Sequence, residues 1–145
     1  METSPRPDWP PHTARQVRLT CIDDRLGSGP FTHEYGTSYE VRLAGGALAL
    51  TDERRDVVMR ELLVPRALGP LEAVWLEVHL ACGAVGLAGH HFDSPEAEQR
   101  GLAAILEAAA HAVRAAVPDV VVRTRMVTPT GVSVAGWPPP EDTAI

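Results

Sequence analysis

The stretch SYEVRLAGGALAL, residues 38–50, carries the reading on which the fold turns. Tyr39, Val41 and Leu43 alternate with Ser38, Glu40 and Arg42, the two-residue period of a strand with one buried face. Ala44-Gly45-Gly46 then offers a tight turn, because glycine accepts positive φ without a steric penalty, and Ala47-Leu48-Ala49-Leu50 reads as the returning strand of a hairpin.

The same pattern recurs on either side. Val17, Leu19 and Cys21 alternate with Arg18 and Thr20, predicting a strand over 16–23. Val74, Leu76, Val78, Leu80 and Cys82 alternate with Trp75, Glu77 and His79, and Gly83 is read as turning this strand back into a short partner ending near Phe92. A last pair, 120–128 and 132–137, is joined by Pro129-Thr130-Gly131. Two helices interrupt the strands. Thr51 is read as a cap for the first, which Pro65 and Gly69-Pro70 end. The second runs from about Pro95 to Val117, with Asp93 or Ser94 as its cap, Pro95 where a missing N–H costs nothing, and Leu102, Ile105, Leu106, Ala109, Val113 and Val117 as one apolar stripe. Strands joined by short turns predict an α+β domain, a mostly antiparallel sheet with two helices packed on one face.

A chain of 145 residues with 45% hydrophobic and 22% charged residues fits one globular domain. It is expected over 16–137, between a proline-rich N-terminal tail, 1–15, and a proline-rich C-terminal tail, 138–145. Net charge is −6 and no basic run is present. Nucleic acid is therefore not expected as a partner, since phosphate neutralisation by basic side chains supplies most non-specific affinity. All thirteen basic residues are arginine. Lacking lysine, the chain can offer neither a Schiff-base amine nor a P-loop lysine, and lacking asparagine it has no N-glycosylation sequon. No secretory leader and no run of about 18 apolar residues is visible, so a cytoplasmic protein without a membrane segment is expected. Cys21 and Cys82 stand alone in apolar runs, and whether they are close in space is left open.

The glycines of Gly83-Ala84-Val85-Gly86-Leu87-Ala88-Gly89 follow a strand, as in a dinucleotide loop, but the next helix begins too late to present its N-terminus to a pyrophosphate. No cofactor is expected. From Leu76 to Gly136 the chain resembles one βαβ unit of the tautomerase superfamily. The base of that family is an N-terminal proline amine, and Pro70 is internal, so the activity is not carried over.

Two functional readings remain. The first is an interaction or regulatory module that contacts another protein chain, or a second copy of itself, through a sheet face or edge, with Trp75 as the exposed aromatic contact. The alternative is a small-molecule enzyme, an isomerase or hydrolase. His91 and Asp93, two apart at the junction before the long helix, would form its general base, with His79 or Glu77 as a second proton donor. Metal ligands are not assigned, because no spacing such as H-x-x-x-H is present. Asp23-Asp24 reads as a solvated turn, and Thr32-His33-Glu34-Tyr35 lies in the longest loop.

Overall fold

The computed structural model describes residues 10–26 and 37–138. Most of both proline-rich tails and the Gly27–Pro30 and Thr32–Tyr35 segments lie outside the described residues.

Among the described residues four strands form one sheet: β1 (Gln16–Thr20), β2 (Tyr39–Arg42), β3 (Ala73–His79) and β4 (Val121–Val127). Their spatial order is β2-β1-β3-β4, and every neighbouring pair is parallel. This corrects the antiparallel α+β expectation: the fold is α/β. A parallel pair cannot be closed by a tight turn, and the crossovers after β2 and after β3 are helical. After β2 come a 3-10 turn (Gly46–Leu50) and α1 (Arg55–Leu63). After β3 come a short α2 (Gly83–Leu87) and the long α3 (Pro95–Ala116).

Each of the three expected hairpins fails for a local reason. Gly45 and Gly46 do take positive φ, 86° and 55°, but they lead into the 3-10 turn. Ala47, Leu48, Ala49 and Leu50 are all buried there, whereas a half-exposed strand would bury every second residue. Gly46 is pressed against β3 so closely that a Cβ would collide with the Glu77 carbonyl oxygen. The expected partner strand after Gly83 is instead α2, ended by Gly89 at φ 98°. The last expected strand shrinks to a single antiparallel bridge between Val127 and Ser133, although the turn at Gly131 is present. Thr51 closes the 3-10 turn, its hydroxyl donating to the Leu48 carbonyl at 2.8 Å, and α1 starts later than read.

The long helix forms as its sequence implies. Ser94 Oγ accepts from Ala97 N at 3.0 Å, and Pro95 opens the first turn. Leu102, Ile105, Leu106, Ala109, Ala110 and Val113 are buried against Val17, Leu19, Val74, Leu76, Val78 and Met126 of the sheet, with Val58 and Leu62 of α1 in the same core. Each buried leucine or isoleucine contributes about 1.5–3 kcal/mol, so packing of the stripe, more than helix propensity, holds α3 in place.

The opposite face of the sheet explains why alternation misled. Arg18, Glu77, His79 and Arg125 sit at polar positions of the pattern yet are 0–5% exposed. Arg18, Glu77 and Arg125 belong to a ladder of charges that, with Glu40, crosses all four strands. Arg18 Nη2 meets Glu40 Oε1 at 2.6 Å, Arg18 Nε lies 3.4 Å from Glu77 Oε1, Arg125 Nη1 lies 3.9 Å from Glu77 Oε2, and Arg125 also donates to Ser133 Oγ. Polar alternation here marks paired burial, which parallel sheets covered on both faces require.

Candidate metal centre

The strand order places a switch point between β1 and β3: the chain leaves β1 for one side of the sheet and returns to the other. In open α/β sheets, ligands bind outside the carboxyl ends of the strands at such a point. Cys21 follows the last residue of β1, His79 ends β3, and Cys82 lies three residues further on.

These three residues converge. Their donor atoms all lie within 4.8 Å of one another, and Cys21 Sγ is 4.0 Å from Cys82 Sγ. Two zinc–sulfur bonds of 2.3 Å at a tetrahedral angle need about 3.8 Å between sulfurs, so the spacing suits one shared ion. The imidazole is prepared for ligation. His79 Nδ1 is 2.7 Å from the Leu80 carbonyl, which makes that nitrogen the donor and leaves the lone pair on Nε2. His79 is 1% exposed, and Nε2 is buried without a hydrogen-bond partner. An orphaned imidazole nitrogen facing two thiols is what a bound cation would satisfy.

The surroundings favour positive charge. The Cys82 thiol beside Cys21 brings the Cys21 pKa down to about 4 against the opposing effect of burial, helped by His79 and by the Gly45 N–H, 3.3 Å from Cys21 Sγ. Cys82 is correspondingly pushed up by its hydrogen bond with Cys21 and by burial, so the pair loses a first proton readily and a second one reluctantly. Burial alone would lower His79, but the Cys21 sulfur, the Leu80 carbonyl and the Asp23 carboxylate outweigh it and raise its pKa. Metal binding would displace these protons.

Asp23 completes the pocket. Its Oδ2 lies 3.6 Å from His79 Nε2, and Arg25 grips both carboxylate oxygens, Nη2 to Oδ2 at 2.6 Å and Nε to Oδ1 at 3.0 Å. That guanidinium holds Asp23 well below the usual carboxylate range. Arg25 also donates to the Ala81 carbonyl at 3.2 Å, tying the loop after β1 to the one after β3. Arg54 bonds Asp52 and reaches the Ala44 carbonyl at 2.9 Å, bracing the chain just before the Gly45 N–H that faces Cys21.

The residues named from sequence are distributed differently. His79 is in the centre. Glu77 is on the same face but buried in the charge ladder, where burial raises its pKa against the lowering pull of Arg18 and Arg125. His91 and Asp93 are exposed and line a cleft of roughly 510 Å³ with Cys82, His90 and Glu98. No hydrogen bond joins His91 to Asp93 among the described residues. Trp75 is half-buried, its Nε1 donating to Gln16 Oε1 at 2.7 Å on the neighbouring strand. Cys21 and Cys82, whose proximity the sequence leaves open, are brought together with His79. The signal available was paired spacing at two strand ends, Cys21-Ile22-Asp23-Asp24-Arg25 after the first and His79-Leu80-Ala81-Cys82 after the third, a His and a Cys three apart as in zinc sites.

No protein-family model matches the chain, and no curated protein matches it. Solved structures do. The chain is similar to a carbonic anhydrase from Streptococcus mutans, at 21% identity and TM-score 0.51 over 83% of this chain and 82% of that one. It is also similar to a carbonic anhydrase from Glaciozyma antarctica, at 20% identity and TM-score 0.50 over 86% and 82%. A carbon disulfide hydrolase in its apo selenomethionine form matches at 15% identity and TM-score 0.49 over 82% and 76%. The two carbonic anhydrase matches show a shared fold. Among the described residues Cys21, His79 and Cys82 come together. That donor set corrects the order of the two readings, favouring the enzyme alternative over the protein–protein interaction module put first. No helix among the described residues is long and apolar enough to cross a membrane.

Proposed function

We propose that this chain is a zinc-dependent hydratase or hydrolase acting on a small linear electrophile, with carbon dioxide as the first substrate to test. The observation that carries the reading is the meeting of Cys21, His79 and Cys82 beside an ionised Asp23 at the sheet's switch point. Two thiolates and an imidazole are a zinc-type donor set, and three protein donors leave a fourth position for water or substrate, as catalytic rather than structural sites do. The substrate class is taken from the two carbonic anhydrases that share the fold.

Bound there, zinc would supply Lewis acidity, making a water molecule ionisable near neutral pH and polarising an electrophile. The protein's own groups do the rest. Asp23, kept ionised by Arg25, is a hydrogen-bond acceptor next to the donor triangle, placed to take the hydrogen of an attacking water and turn its lone pair toward the substrate. Arg25 occupies both Asp23 oxygens, which keeps the carboxylate out of the ligand set. The Leu80 carbonyl fixes the His79 ring, and the Gly45 N–H stabilises negative charge on Cys21.

The test is the zinc content of purified protein together with stopped-flow hydration of carbon dioxide. About one zinc per chain and a rate above buffer, both lost in Cys82→Ser, are expected. A zinc-loaded protein that hydrates carbon dioxide no faster than buffer would remove the substrate assignment. Failure to bind zinc would remove the whole reading.

A further inference from the structure

Ala81 lies between the two donors His79 and Cys82 and takes φ 55°, a left-handed conformation that alanine adopts rarely. Both its backbone polar groups are held by charged side chains from distant elements. Its carbonyl accepts from Arg25 Nη2 at 3.2 Å, and its N–H donates to Glu98 Oε2 at 2.7 Å, across 17 residues from the first turns of α3. The residue before it is held by the sheet, with Leu80 N donating to the Val127 carbonyl at 2.9 Å.

The geometry points to Glu98 as a positioning residue of the metal centre: through the Ala81 N–H it holds the His79–Cys82 loop in the strained turn that brings Cys82 within reach of Cys21. Glu98 bonds the Ala81 backbone and none of the three donor atoms, so it acts through the backbone. Without an acceptor at that point the Ala81 peptide is free to relax toward negative φ, and relaxation carries the Cys82 sulfur away from the other two donors. The chemistry needed is an acceptor oxygen at the end of a side chain of this length, so glutamine, whose amide oxygen reaches the same place, should serve. Glycine at 81, which takes positive φ without penalty, should lessen the need for any clamp.

This inference rests on the zinc reading above, and the experiment separates the two. Zinc affinity is measured by competition with a chromophoric chelator for wild type, Glu98→Ala, Glu98→Gln and Glu98→Ala with Ala81→Gly. The cobalt-substituted absorption of each variant reports donor geometry. Wild type should bind tightly, and Glu98→Ala about 10–100-fold more weakly with a shifted cobalt spectrum, the range seen when a group that orients a ligand is removed. Glu98→Gln should bind like wild type, and the double variant should recover part of the loss. Melting curves in chelator keep a general loss of stability apart from a loss at the site. Wild type that binds no zinc overturns the metal reading and this one with it. Wild type that binds tightly while Glu98→Ala matches it in affinity and spectrum overturns the clamp alone. So does equal weakening by Ala and Gln.

Discussion

Cys21 Sγ and Cys82 Sγ stand 4.0 Å apart although 61 residues separate them in the chain. One sulfur follows β1 and the other β3, so their meeting is a property of the parallel pairing of those strands. Everything inferred about the site depends on that adjacency.

Removing either sulfur donor should cost zinc affinity on the order of a hundredfold or more, because the remaining imidazole and single thiolate leave coordination incomplete. Cys21→Ser and Cys82→Ser should both show it in chelator competition. In wild type, stripping zinc should lower the melting temperature, since a ligand bound only to the folded state stabilises it by mass action. A melting temperature indifferent to chelator would contradict a folded-state site.

The Asp23–Arg25 pair predicts the acid limb of stability. Arg25 depresses the Asp23 pKa in the folded protein, so the unfolded chain takes up that proton first as pH falls. The pair's contribution is complete above the ordinary aspartate range near about 4 and drains away as pH drops toward the lowered folded value. Asp23→Asn should therefore be less stable at neutral pH and show a shallower loss of stability below about pH 4. Urea titrations from neutral to acid pH measure the two slopes. Parallel acid limbs would mean that the pair does not form in solution.

Glu77 neutralises a buried stretch between Arg18 and Arg125. Glu77→Gln keeps the shape and removes the charge, and should destabilise the protein by about 3–5 kcal/mol, the range for breaking one partner of a buried ion pair. Replacing Arg18, Glu77 and Arg125 together by apolar residues of similar volume should cost less than Glu77→Gln alone. Equilibrium unfolding in urea decides both comparisons.

Gly46→Ala should destabilise by about 1–3 kcal/mol or more, for two reasons that act together. Its φ of 55° disfavours a side chain, and the added Cβ meets the backbone of β3 at Glu77. Gly69→Ala, with nothing within reach of the new carbon, is the control and should be nearly neutral. Equal melting temperatures for the two variants would show that the 3-10 turn moves away from β3 without penalty.

Much of the local structure was legible because local structure follows from neighbouring residues. The alternation around Val17, Val41 and Val74 marked β1, β2 and β3, and Ser94, Pro95 and the stripe from Leu102 to Val113 marked α3. The pairing was not. A two-residue period says that a strand has two different faces. It does not say which strand lies beside it or in which direction that neighbour runs. Gly45-Gly46 permits positive φ whether the chain turns back as a hairpin or enters a 3-10 turn, and four buried residues after it decided for the second.

The sequence by itself determined the segments of β1 to β4, α1 and α3, the apolar residues of the core and the absence of lysine chemistry. Only the tertiary structure decided that the sheet is parallel, that Arg18, Glu77 and Arg125 are buried partners, and that Cys21, His79 and Cys82 form one donor set. The physical reason is range. Propensity, capping and periodicity act over a few residues, whereas strand pairing and metal-type clusters are built from groups far apart in the chain. His79 was picked out from its segment alone, but the partners that give it a chemistry were brought to it by the fold.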